Sequence, residues 1–273
     1  MKSEDDFRRF EHEGWERVAH KYDAVWSSLT RQFIPHLLAD AQVAPGMSVL
    51  DVACGPGYVS AAAREKGANP TGLDFSGKMV AIAKKMFGSI PFIEGDAQGL
   101  PFDDASFDRV LTNFGLLHLS DPAKACAEAF RVLKPGGRFG FTVWARPTEN
   151  PGGKIVNDAI ETHADLSVRV PEGPPDSLYA ERGECRKMLE QIGFDGSSII
   201  LETRIVEWNV PTARYFFDAE RNAGVRTAGV LARQTPERLD AILRVIEDGV
   251  SQYARGGQFV IPMGAYVVVA SKK

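Results

Sequence analysis

The segment Ser48-Val49-Leu50-Asp51-Val52-Ala53-Cys54-Gly55-Pro56-Gly57-Tyr58-Val59-Ser60 constrains the fold more than any other part of the chain. An apolar run ending in an acid reads as a buried parallel strand, and the Gly-x-Gly after it reads as a tight turn into a helix. Glycine suits that turn because the backbone must bend sharply and approach a ligand with no Cβ in the way. Strand, glycine turn and helix in this order make a nucleotide-type site.

Two nucleotide readings meet obstacles. A phosphate-cradling loop needs a Lys at a fixed distance after the first glycine, and none stands there. A dinucleotide fingerprint would place a third small residue at position 60, where Ser60 is tolerable, and Asp74 lies at a suitable distance for its ribose acid, so spacing alone leaves NAD open. Charge argues against it. Asp51 sits where a pyrophosphate would lie, and two anions in a dry cleft repel. Asp74 closes the run Asn69-Pro70-Thr71-Gly72-Leu73, and Asp96 follows Ile90-Pro91-Phe92-Ile93-Glu94-Gly95. Three acids at the C-terminal ends of three successive strands suit a cationic ligand rich in hydroxyl and amino donors.

Four ordered motifs carry a resemblance: Asp51-x-x-Cys54-Gly55-x-Gly57, Gly72-x-Asp74-x-Ser76, Gly95-Asp96-Ala97 and Leu133-Lys134-Pro135-Gly136-Gly137. Together they resemble the class I S-adenosylmethionine-dependent methyltransferases. Leu100-Pro101-Phe102 through Phe107-Asp108 is similar to the ubiquinone/menaquinone-biosynthesis type. The likeness is close over roughly residues 45 to 145 and holds only in outline elsewhere. It implies S-adenosylmethionine as cofactor and methyl transfer to a small, largely apolar acceptor through carbon, oxygen or nitrogen. The alternative is a cofactor-binding protein, or an enzyme that uses the cofactor for a non-methylating step such as cyclisation.

The resemblance also distributes roles. Ala53, Gly55 and Gly57 let the backbone approach the methionine portion, and Asp51 receives its ammonium unless it only caps the turn. Asp74 accepts from the ribose hydroxyls, its plainer role being a helix cap. Asp96 and Ala97 meet the adenine, and Phe75 and Met79 either sandwich it or pack in the core. Asn113 and Phe114, at the end of the fourth strand, face the sulfonium, with Asn113 counted among the catalytic candidates. His118 is either a general base or a structural histidine. Tyr22, Trp26 and Trp144 are the substrate-side candidates.

The pattern predicts an α/β fold: a Rossmann-like, mostly parallel seven-stranded sheet with helices on both faces. Strands are expected near 48–53, 70–74, 90–94, 108–113 and 138–144, then Ser198 to Val210 and Ala265 to Ala270. Helices are expected near 57–67, 77–87 and 181–192, and near 122–134, where Gly136-Gly137 should end the helix. The stretches 146–153 and 170–177 read as loops. N-terminal lid helices (1–42) precede the cofactor-binding core (43–210 and 258–273), and a helical substrate cap (211–257) enters before the last strand.

A net charge of −4 gives no footprint for nucleic acid. The scattered Cys54, Cys126 and Cys185 indicate neither a disulfide framework nor a metal site. With no signal peptide and no membrane span, a cytoplasmic protein is expected. Oligomeric state is left open.

Overall fold

The computed structural model describes residues 2–175 and 178–273, so the loop expected at 170–177 is described up to 175, and 176 and 177 lie outside the described residues. Three N-terminal helices come first, α1 (Lys2–Val25), α2 (Ser27–Thr30) and α3 (Ile34–Asp40). The core then alternates through β1 (Ser48–Val52), α4 (Tyr58–Glu65), β2 (Asn69–Asp74), α5 (Gly77–Met86), β3 (Phe92–Glu94), β4 (Phe107–Asn113), α6 (Pro122–Val132) and β5 (Leu133–Trp144). It continues through α7 (Pro151–His163), α8 (Arg182–Ile192) and β6 (Ile200–Val210). Three helices, α9 (Arg214–Ala223), α10 (Arg226–Leu231) and α11 (Pro236–Ser251), then precede β7 (Ala254–Arg255) and β8 (Gln258–Ser271).

The sheet runs β3-β2-β1-β4-β5-β8-β6, and the two-residue β7 pairs with β8 outside that path. The first five strands are parallel, whereas β8 is antiparallel to both its neighbours. Successive side chains of a strand leave opposite faces, and β8 shows it directly. Tyr266, Val268 and Ala270 join the core containing Ala129 and Leu189 from α6 and α8, while Val267 and Val269 join Leu37 and Ala63 from α3 and α4. Apolar burial on both faces explains the continuous hydrophobic runs of these strands.

Three details depart from the sequence expectation. Helix α6 ends at Val132, before the glycines, because Leu133 already pairs with Phe107 in the sheet. The Pro-Gly-Gly stretch then forms an irregularity inside β5, with Gly136 at φ +74°. Helix α7 begins within the stretch read as a loop; Asn150 caps it, its Oδ1 accepting from Gly153 N at 3.2 Å, and Pro151 fits the first turn. Strand β8 starts at Gln258 rather than Ala265. Pro262 and Gly264 disguise its first half, but Gly264 is required because a Cβ there would lie 1.9 Å from Glu149 O.

The segment 211–257 shares an apolar core with α2, α7 and the β6–β8 pair. Phe216, Phe217, Ile242 and Ile246 pack there with Leu29, Val156 and Trp208. No helix among the described residues is long and apolar enough to cross a membrane.

Candidate functional site

The C-terminal ends of β1, β2 and β4 open into a cavity of about 660 Å³, bordered by α1, α2, α7 and α9. That size suits a nucleoside-sized ligand with a second small molecule beside it. Ala53 and Phe114, one residue past β1 and β4, both adopt left-handed backbone at φ +53° and +59° and line this space. Non-glycine residues rarely hold that conformation, and such strain gathers where a ligand is gripped.

Asp51 is fully buried at the cavity wall. Its Oδ2 accepts from Ser60 N at 2.9 Å and Ser60 Oγ at 2.7 Å, which ties β1 to α4. Its Oδ1 is buried with no hydrogen-bond partner among the described residues. Burial pushes this carboxyl up to about 7, against the pull of the Ser60 bonds. An orphaned buried oxygen is costly, and an ammonium arriving from the cavity would satisfy it.

Asp74 is also buried, with Oδ2 accepting from Gly55 N at 2.8 Å and Oδ1 from Ser76 N at 2.9 Å. Burial raises it to about 6. The cap of α5 is Ser76, whose Oγ accepts from Met79 N, so Asp74 is not consumed as the helix cap. Phe75, Met79, Gly95, Asp96 and Ala97 continue the wall beside it. Asp96 accepts from Gln98 N and forms a 2.9 Å ion pair with Arg8 of α1. Both partners are partly exposed, so that pair is weak.

The two glycines of the turn divide their work. Gly55 lines the cavity, and a Cβ built on it meets nothing within 4 Å. Gly57 does not line it. Its φ is +90°, its amide donates to Cys54 O, and a Cβ there would sit 2.7 Å from the Phe92 ring. The expectation that Gly57 makes room for the ligand is therefore corrected: it makes room for β3 and α5.

Asn113 reaches the cavity with both ends of its amide engaged, Nδ2 donating to Thr30 O and Oδ1 accepting from Thr142 Oγ. It binds α2 to the strand ends. Trp26, Phe114, Trp144 and Phe216 supply an aromatic wall. The Phe114 and Trp144 rings lie 4.2 Å apart, and Trp26 stacks on Trp208 at 5.2 Å. Tyr22 also lines the cavity, its hydroxyl 3.4 Å from Thr30 Oγ.

Two charged residues join the site that the sequence motifs do not include. Arg31 lines the cavity with its guanidinium 4.3 Å from the Tyr58 ring, and Tyr58 in turn donates to Asp23. Glu11, buried in α1, pairs with His118 and Arg226, both of which line the cavity. Its signal was present in the sequence: Glu11 lies on the same helical stripe as Phe7, Trp15, Val18 and Tyr22.

The residues present fit the sulfonium cofactor expected from the motifs. The orphaned oxygen suits an amino acid ammonium, Gly55 leaves open space, and Asp74 offers acceptor capacity for a diol.

Comparison with known proteins agrees. A family model described as a methyltransferase domain matches residues 50–141. A demethylmenaquinone methyltransferase of Renibacterium salmoninarum is 43% identical over 139 residues, 49% of this chain and 58% of that protein. The ubiquinone/menaquinone biosynthesis C-methyltransferase of Brucella anthropi is 36% identical over 207 residues, 66% of this chain and 77% of that protein. The chain thus spans little more than half the length of the first of these relatives. Among solved structures, the YcgJ protein of Bacillus subtilis shares the fold with a TM-score of 0.57 at 20% identity, over 89% of this chain and 98% of that one.

Proposed function

Because the chain belongs to the class I S-adenosylmethionine-dependent methyltransferase family, of the ubiquinone/menaquinone-biosynthesis type, we propose that it methylates a small, largely apolar acceptor of quinone type. The observation that carries this is the unpartnered Asp51 Oδ1 in one cavity with an aromatic wall. In this reading Asp51 holds the ammonium of S-adenosylmethionine, Arg31 its carboxylate and Asp74 its ribose. Phe75, Met79, Asp96 and Ala97 hold the adenine, while Ala53 and Gly55 give backbone contacts. Tyr22, Trp26 and Trp144 border the acceptor.

The bound cofactor supplies a methyl group activated by its sulfonium, with a neutral thioether as leaving group. What remains for the protein is proximity, alignment and exclusion of water. The N-terminal helices (1–42) act as a lid, and the segment 211–257 acts as a substrate cap that closes the acceptor side.

The direct test is incubation with S-adenosylmethionine and a reduced naphthoquinol lacking the ring methyl. Release of S-adenosylhomocysteine with a methylated product supports the reading. A cofactor complex that converts none of the acceptors offered would favour a binding or cyclising protein. Asp74→Ala should weaken S-adenosylhomocysteine binding by roughly 1–3 kcal/mol, about 5- to 150-fold, through lost charge-assisted bonds. Unchanged calorimetric affinity with unchanged melting would remove Asp74 from the site.

Binding should also depend on pH. Burial raises Asp51 to about 7 and Asp74 to about 6, so both hold protons in acid when no ligand is bound. The ammonium and diol favour the ionised carboxylates, so binding releases protons. Affinity should climb from about pH 5 to about pH 7.5 and then level off. Calorimetry in buffers of different ionisation heat measures that release, and a pH-independent affinity would contradict the Asp51–ammonium pairing.

A further inference from the structure

We propose that Glu11 positions His118 to take the proton of the acceptor's aromatic hydroxyl. This rests on the methyl-transfer reading and adds to it the residue that activates the acceptor.

Glutamate is rarely buried without a task, and Glu11 is 0% exposed. Its Oε1 accepts from Arg226 Nε at 3.2 Å. Its Oε2 accepts from Trp15 Nε1 at 3.1 Å and lies 3.0 Å from His118 Nδ1. Indole and guanidinium N–H groups can only donate, so the carboxylate is an acceptor on every side and Nδ1 carries the hydrogen. In neutral imidazole that tautomer leaves a lone pair on Nε2. Among the described residues Nε2 has no hydrogen-bond partner, and His118 lines the cavity. Trp15 holds the ring edge-on, with centroids 4.6 Å apart. Other charges face the pair from Asp74, which senses His118 electrostatically, and from Arg226 on the far side of Glu11.

A base oriented by a second group, on a residue that lines a substrate cavity, is the arrangement that activates a hydroxyl. In the step, the O–H bond breaks, the proton bonds to Nε2, and the electron pair stays on oxygen. Delocalised into the ring, that pair makes the oxygen and its ortho and para carbons nucleophilic. The imidazolium formed faces Glu11, which compensates its charge. Phenols ionise near pH 10, within reach of such a base, and aliphatic alcohols do not.

A merely structural use is also visible, since Glu11 joins α1 to α10 through Arg226. The test must separate the two. The probe is 1-naphthol added to protein saturated with S-adenosylhomocysteine, so no methyl transfer occurs, and naphtholate is followed by its absorbance against pH. In the wild type the bound ionisation midpoint should fall by about one pH unit or more relative to free naphthol. His118→Gln should abolish that fall, and Glu11→Gln should remove most of it. His118→Gln keeps the Glu11–Arg226 and Glu11–Trp15 bonds, so it decides the matter even if Glu11→Gln does not fold. A wild-type midpoint equal to that of free naphthol, an unaltered midpoint in His118→Gln, or no naphthol binding would overturn the proposal. Failure of the wild type to bind S-adenosylhomocysteine would instead overturn the methyl-transfer reading, before any naphthol is added. With a reduced naphthoquinol as acceptor, His118→Gln should lower kcat by roughly 10²- to 10⁴-fold with little change in KM. That deficit should shrink as pH approaches the quinol's own ionisation, which a structural defect would not reproduce.

Discussion

Gly57→Val is expected to cost about 2–5 kcal/mol of stability, from left-handed backbone and overpacking together. At this chain length that means a melting temperature lower by on the order of 5–15 °C. The residue sits at φ +90°, which a branched side chain strongly resists, and its Cβ would press on the Phe92 ring and Ala83. Neither Phe92 nor α5 can move freely, because β3 is hydrogen-bonded to β2 and α5 packs against it. Gly55→Ala is the control. It carries strained backbone at φ +51° but open space around the new methyl. It should cost about 1 kcal/mol while weakening cofactor binding more than its stability loss explains. Thermal melting and S-adenosylhomocysteine calorimetry on both variants would check this. A Gly57→Val protein that melts like the wild type would show that the turn is not a rigid junction between β1, β3 and α5.

The sequence reading of Gly57 illustrates what residue spacing conveys and what it does not. Spacing showed that a glycine turn follows β1, because the backbone path requires it. It could not say which glycine faces the ligand, since that depends on where Phe92 lands after a crossover and a second strand. The parallel strands were legible because burial on both faces writes itself as unbroken apolar runs. The first half of β8 was not, because Pro262 and Gly264 break its strand pattern, and Gly264 makes room for the distant Glu149 backbone. Helix α7 was hidden for a similar reason: its cap, Asn150, lies within a stretch of prolines and glycines that imitates a loop. Asp51, Asp74 and Asp96 stood out because three acids follow three successive apolar runs, and all three line the same cavity. Glu11 is harder to read, because a charged residue in an amphipathic helix reads as solvent-facing even where its stripe is apolar. Its partners His118 and Arg226 lie 107 and 215 residues away, and no local pattern predicts such a meeting.

Asp51→Asn should move stability and binding in opposite directions. In the ligand-free protein Asp51 keeps one buried oxygen without a partner, and burial lifts its carboxyl from 3.8 to about 7. A folded value above the unfolded one means that the native state holds the proton more tightly. Stability from this group is therefore full in acid and falls as pH rises from about 4 to about 7. Asparagine cannot ionise, yet its oxygen can still accept from Ser60 N and Ser60 Oγ. The variant should match the wild type near pH 4 and exceed it at pH 8, by no more than about 4 kcal/mol given 1.36 kcal/mol per unit. Cofactor binding should change the other way. The asparagine amide would turn a donor toward the ammonium, and losing the charge-assisted bond should weaken S-adenosylhomocysteine by about 1.5–3 kcal/mol, or 10- to 150-fold. Much of the proton release on binding should disappear with it. Melting curves at the two pH values, with calorimetry at pH 8, would decide. Equal stability at both pH values would mean that Asp51 is not desolvated as its surroundings imply. A more stable variant that still binds with wild-type affinity would mean that the orphaned oxygen is no ammonium site, and the orientation of the amino acid portion would have to be reassigned.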